Sequence, residues 1–234
     1  MKWGVPEIWK DGEVWIIGGG YSMIEILGIP EELVEKVYNR ELPISVYSPY
    51  FYFLEKKHVI AINVAFMLGD WVDIVFFGDS EFYHIFNKQL QEFEGLRVTC
   101  SKIGQNSHLV KYLEKDSSKE YGITLDKKKV VWNFNSGVAA INLAIHTGAR
   151  RILLLGFDMK VRNGKKHWHN EYNLGVLSKE KDLINQSLIF DRYRKSFKYI
   201  KEDLERYNLK VEILNVNYEN TIEEFKTVSL KEVL

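Results

Sequence analysis

The feature that most constrains this chain is a series of short apolar runs, most of them ending in glycine, asparagine or aspartate and alternating with stretches of helical period. The run 151–157 (RILLLGF) is the clearest. After the arginine it has no polar alternation, so it leaves no face for water and reads as a strand covered on both sides. The runs 13–18 (EVWIIG), 58–63 (HVIAIN), 73–77 (DIVFF), 96–101 (LRVTCS), 129–132 (KVVW) and 210–215 (KVEILN) read in the same way. Between them, 80–93 and 136–147 have helical character, the second stopped by Gly148. Late in the chain Phe190, Tyr193, Phe197, Ile200, Leu204 and Tyr207 recur at steps of three and four. That stripe is one apolar helix face, laid on a sheet or forming a dimer seam, so a homo-oligomer stays open. Strands alternating with helices predict an α/β, Rossmann-like fold: a mostly parallel sheet with helices on both faces. The 234 residues suit a single domain spanning 1–234. Two stretches, 102–128 and 158–182, have no regular pattern, and a lid is expected at 158–182.

Composition removes several classes. Apolar residues make up 46% and charged residues 27%, which excludes a disordered or fibrous chain. Thirty-two basic residues balance thirty-two acidic ones, so no basic excess marks a surface for duplex nucleic acid. The lone Cys100 cannot form an internal disulfide, and no Cys/His zinc pattern exists. No apolar run is long enough to span a membrane, and the start of the sequence shows no signal-peptide core. The expected location is cytoplasmic, without membrane association.

In parallel sheets ligands bind at the carboxyl ends of strands, so the residues that follow each run carry the chemistry. The first run leads into Gly18-Gly19-Gly20-Tyr21-Ser22. Glycines there permit a tight turn and the approach of a phosphate to backbone amides, although the motif is neither GxGxxG nor a Walker A loop. Asn63 and Gly78-Asp79 end two further runs and either cap the following helices or face a ligand. At Asn133-Phe134-Asn135-Ser136-Gly137, Ser136 is a natural N-cap, and Gly137 leaves the first helical amides open to an anion. On the helix behind, Asn142 and His146 read as core residues rather than a ligand pair. After Gly156-Phe157-Asp158 comes MKVRNGKKHWHNEYN, in which His167 and His169 flank Trp168. A histidine in a polar loop titrates near 6.5 and suits a general base, while Lys160, Arg162, Lys165 and Lys166 could meet phosphate charge.

These residues resemble a known group. GGGYSM resembles the Gly-Asn-Gly-Pro-Ser motif of the bacterial family-42 sialyltransferases. Asn63, Asp79, Asn135-Ser136-Gly137 and Gly156-Phe157-Asp158 fall in that family's order. The same skeleton occurs in motility-associated flagellin glycosyltransferases and in 6-hydroxymethyl-dihydropterin diphosphokinases. It is also similar to uncharacterised phage-type proteins with a His-Trp-His loop and an Asn-containing C-terminal strand, here Asn215. The resemblance implies a transferase that binds a nucleotide-activated small molecule. Its nucleotide would lie against Gly18, Gly19, Gly20, Ser22, Asn63, Asp79, Asn135, Ser136, Gly137, Gly156 and Phe157. Catalysis would fall to His169 or His167 with Asp158. The implied donor is a CMP-sugar, with no metal or other cofactor and a lid histidine as base. Gly19 and Asp79 each stand where the family has asparagine, and a carboxylate beside the nucleotide repels phosphate unless a cation intervenes. That supports an alternative, a Mg-ATP-dependent diphosphokinase with Asp79 and Asp158 facing Mg²⁺. A third reading is a non-catalytic nucleotide-binding protein.

Overall fold

The computed structural model describes residues 2–171 and 183–234, the side chains of 183–187 excepted. The main sheet has eight strands in the order β10-β9-β8-β1-β2-β3-β4-β5, and every pair in it is parallel. Its members are β1 (Glu13–Ile17), β2 (His58–Ile62), β3 (Ile74–Phe77), β4 (Leu96–Thr99), β5 (Lys111–Tyr112), β8 (Arg151–Leu155), β9 (Glu212–Val216) and β10 (Lys226–Val228). This is the α/β Rossmann-like arrangement that the alternating runs predict. One run departs from it. Residues 129–132 contribute only β7 (Lys129–Val130), which pairs with β6 (Glu114–Lys115) in a separate two-stranded ribbon.

Burial explains why the central runs have no polar alternation. Trp15 and Ile17 of β1 point into one layer of core and Val14 and Ile16 into the other, all fully buried. The first layer is closed by α1 (Ser22–Ile26), α2 (Glu31–Tyr38) and an aromatic 3-10 segment, Ile44–Leu54. The helical stretch after β3 is two helices, α3 (Ser80–Ile85) and α4 (Asn87–Glu92), interrupted at Phe86. The second layer is closed by α5 (Ser136–His146) and α6 (Leu183–Arg206). α5 lies across β1, β2 and β3, and ten of its eleven residues are buried. Phe197, Ile200 and Leu204 of α6 face this core, so the stripe packs on the sheet. No helix among the described residues is long and apolar enough to cross a membrane.

Candidate nucleotide site at the carboxyl edge of the sheet

The chain leaves β1 through β2 to β5 on one side, then returns to place β8 against the other side of β1. Strand order reverses there, and such a reversal opens a crevice beyond the strand ends. Two turns line it. Gly18 N donates to Leu155 O and Gly20 N to Gly156 O, each at 2.8 Å. A side chain on Gly18 would place its Cβ 2.6 Å from Gly156 O, and one on Gly20 would stand 2.6 Å from Asp158 Cγ. Gly156 itself has φ +76°. The glycines are thus needed for the two turns to touch. Buried Asp158 accepts from Ser22 N at 2.8 Å, so the amide at the start of α1 is held by the chain's own carboxylate.

The described part of the segment expected as a lid, 158–171, folds tightly onto this crevice, while 172–182 lies outside the described residues. Trp168 is fully buried. Its Nε1 donates to Gly18 O at 3.0 Å, its amide donates to Gly19 O at 3.2 Å, and its ring meets Tyr47 edge-on. Tyr38 OH donates to His167 O and Asn170 Nδ2 to Tyr38 O. Three of the loop's cations are also engaged. Arg162 pairs with Glu25 and Glu219, Lys160 pairs with Glu219, and Lys165 Nζ stands over the rings of Tyr21 and Tyr38.

The two histidines stack at 5.3 Å between ring centroids. Burial lowers both, His167 to about 4 and His169 well below its ordinary value. Titration near 6.5 therefore gives way to a pair that stays neutral well into the acid range. Their tautomers differ. His167 Nδ1 lies 3.2 Å from Gly19 O, and because a carbonyl only accepts, Nδ1 carries the proton and the lone pair resides on Nε2. His169 Nδ1 accepts from Glu171 N at 3.3 Å, which leaves the proton on its Nε2. A Cβ on Gly19 would stand 2.8 Å from His167 Nδ1. The imidazole thus takes the space of the side chain that the resemblance leads one to expect there.

Asn63 follows β2 with φ +50°, and its Oδ1 is buried without a hydrogen-bond partner among the described residues. Such an acceptor is costly unless something donates to it. At the head of α5 the cap is Asn135 rather than Ser136. Asn135 Oδ1 accepts from Gly137 N at 2.8 Å and Val138 N at 3.3 Å, so those two amides are already engaged. Ser136 follows as a buried first helical residue. A Cβ on Gly137 would stand 2.8 Å from the ring of Phe157, which explains the glycine by packing. Asn142 and His146 are core residues, bonded to Thr124 and to Lys129 O respectively.

Asp79 makes no side-chain cap bond to α3. It is exposed, yet desolvation by the protein around it raises its carboxyl, against the pull of Lys115. Lys115 Nζ stands 4.0 Å from the centroid of Trp132, whose ring lies over Gly78. Lys115 thus supplies positive charge near Asp79. β3 and β8 are separated by β1 and β2, three strand spacings or roughly 14 Å between the strand axes that lead to Asp79 and Asp158. No cluster of three or more potential metal ligands occurs among the described residues.

Lys115, Trp132 and Tyr38 carried no readable signal, since each depends on a long-range contact.

No protein-family model matches the chain, and no curated protein is matched. Solved structures give a distant likeness. The sialyltransferase CstII from Campylobacter jejuni in complex with cytidine-5'-monophosphate aligns at 14% identity and TM-score 0.48, over 93% of this chain and 84% of that one. The same enzyme with CMP-3FNeuAc aligns at 16% identity and TM-score 0.45, over 93% and 86%.

Proposed function

We propose that the protein is a nucleotide-sugar-dependent glycosyltransferase of the CMP-sugar type, with its nucleotide in the crevice between Asn63, the 18–20 turn and the head of α5. Asn63 carries this reading. A residue in the left-handed region with a buried, unpartnered Oδ1 at a strand end is costly to fold unless a ligand donates to it, as a ribose hydroxyl or a base amino group does. In the reaction the acceptor hydroxyl attacks the anomeric carbon and passes its proton to His167 Nε2. The bond from that carbon to the phosphate oxygen breaks, and the nucleotide leaves with the electron pair. The carbonyl of Gly19 orients the imidazole, as a base in an acid–base pair requires. Lys165, held over Tyr21 and Tyr38 next to the glycine turn, meets the developing phosphate charge.

The diphosphokinase alternative would use Asp79 and Asp158 as metal-facing carboxylates. A thermal-shift panel of CMP, CDP, UDP, GDP and ATP, with and without Mg²⁺, tests both readings. A ligand that binds only the folded state adds about 2.7 kcal/mol at a hundredfold excess over Kd. The expected result is a Mg²⁺-independent shift with CMP or CDP, lost in Asn63→Leu. A shift confined to Mg-ATP would overturn the glycosyltransferase reading. CMP binding without turnover of any CMP-sugar would leave a non-catalytic binder.

A further inference from the structure

A second group of unpartnered atoms lies away from the Asn63 corner. Ser22 Oγ, Asp158 Oδ1, Arg162 Nε and Nη2, Asn215 Oδ1 and Asn217 Nδ2 are all buried without a hydrogen-bond partner among the described residues. The residues that bear them are linked by contacts and by adjacency in the chain. Asp158 Oδ2 holds Ser22 N at 2.8 Å and lies 3.9 Å from Arg162 Nε. Arg162 Nη2 stands 3.2 Å from Glu219 Oε1, off the hydrogen-bond axis, and Glu219 N donates to Asn217 Oδ1. Asn217 directly follows β9, in which Asn215 Nδ2 donates to Thr221 Oγ1 at 3.1 Å. Thr221 Oγ1 in turn donates to Phe157 O at 3.0 Å, next to Asp158.

We propose that this cluster, which joins the ends of β8 and β9 to the start of α1, is a binding site for the vicinal hydroxyls of a sugar. Around it stand three carboxylates, Asp158, Glu25 and Glu219, against two cations, Arg162 and Lys160. The excess of negative charge disfavours a phosphate or carboxylate occupant. The atoms without a hydrogen bond among the described residues mix donors, from Arg162 and Asn217, with acceptors, from Asp158 and Asn215, and Ser22 serves as either. A hydroxyl both donates and accepts, so a pair of adjacent hydroxyls matches the set where a purely accepting or purely donating group would not. The site goes beyond the nucleotide reading and does not rest on it.

The test is calorimetry on the full chain with D-ribose, D-glucose and N-acetylneuraminic acid as separate probes. Saturable binding of at least one is expected. Ribose binding assigns the site to a nucleoside's sugar, and binding of either other probe assigns it to a free or transferred sugar. Asn217→Asp keeps the oxygen that receives Tyr218 N and Glu219 N but replaces the unpaired donor with an acceptor. It is expected to weaken binding at least tenfold. Ser22→Ala, which changes less volume, is expected to weaken it severalfold. If none of the three sugars binds, or if both variants bind as the parent does, water alone satisfies these atoms and the proposal is overturned. CMP binding is measured in the same samples. In the parent, absence of sugar binding with CMP bound defeats this site only, and absence of CMP binding with sugar bound defeats only the Asn63 reading.

Discussion

His167 shows how a single side chain links stability to acid–base chemistry. Burial lowers it to about 4 in the folded chain, whereas in the unfolded chain it titrates near 6.5. Above pH 6.5 both states are neutral and the group has no effect on stability. As pH falls from 6.5 to 4 the unfolded state takes up a proton that the folded state refuses, and up to roughly 3 kcal/mol is lost. Urea denaturation at pH 7 and pH 4.5 should show this loss in the parent and a smaller one in His167→Gln. The same depression sets the rate profile. The limb belonging to the base falls near pH 4, and an activity profile that bends near 6.5 would remove His167 from that role. This could not be read in the sequence, where HWH in a lysine-rich stretch looks solvated. What buries the pair is the contact of Trp168 with Gly18 and Gly19, about 150 positions away in the chain.

Among the elements, α5 combines a readable part with a hidden one. Its extent and its stop at Gly148, which has φ +94°, follow from an apolar stretch ended by a glycine. Its cap did not. In Asn135-Ser136-Gly137 either polar residue fits the role, and only the extended backbone of Asn135 decides it. Asn135→Ala should cost about 1 kcal/mol in denaturant stability, while Ser136→Ala leaves the cap intact. Gly137→Val, a benign change if the glycine served only an anion, should instead destabilise by about 1–3 kcal/mol, because its Cβ meets Phe157. The strand runs were legible because both faces of the sheet are covered, which removes polar alternation from β1, β2, β3 and β8. β5, β6 and β10, two or three residues each, are too short for any period to emerge. The polar ends of the strands were legible as candidates by chemistry, but not which of their polar atoms the chain itself uses.

At the scale of the molecule, segment 158–171 ties the two halves of the sheet edge together. Trp168 bonds the turn after β1, and Arg162 bridges α1 to the loop between β9 and β10. Trp168→Ala removes a fully buried ring and a bond to Gly18 O, so a loss of about 3–5 kcal/mol is expected on thermal or denaturant unfolding. The strand order has a further consequence, in time rather than in space. The first strand of the chain is central in the finished sheet, and its partner on one side, β8, pairs Arg151 with Glu13. During synthesis at about 5–20 residues per second, β1 therefore waits on the order of ten seconds or more with one edge unpaired. Nascent chains that end before β8 present that apolar edge to one another, so stalled or truncated products should partition into aggregates while the finished chain remains dispersed.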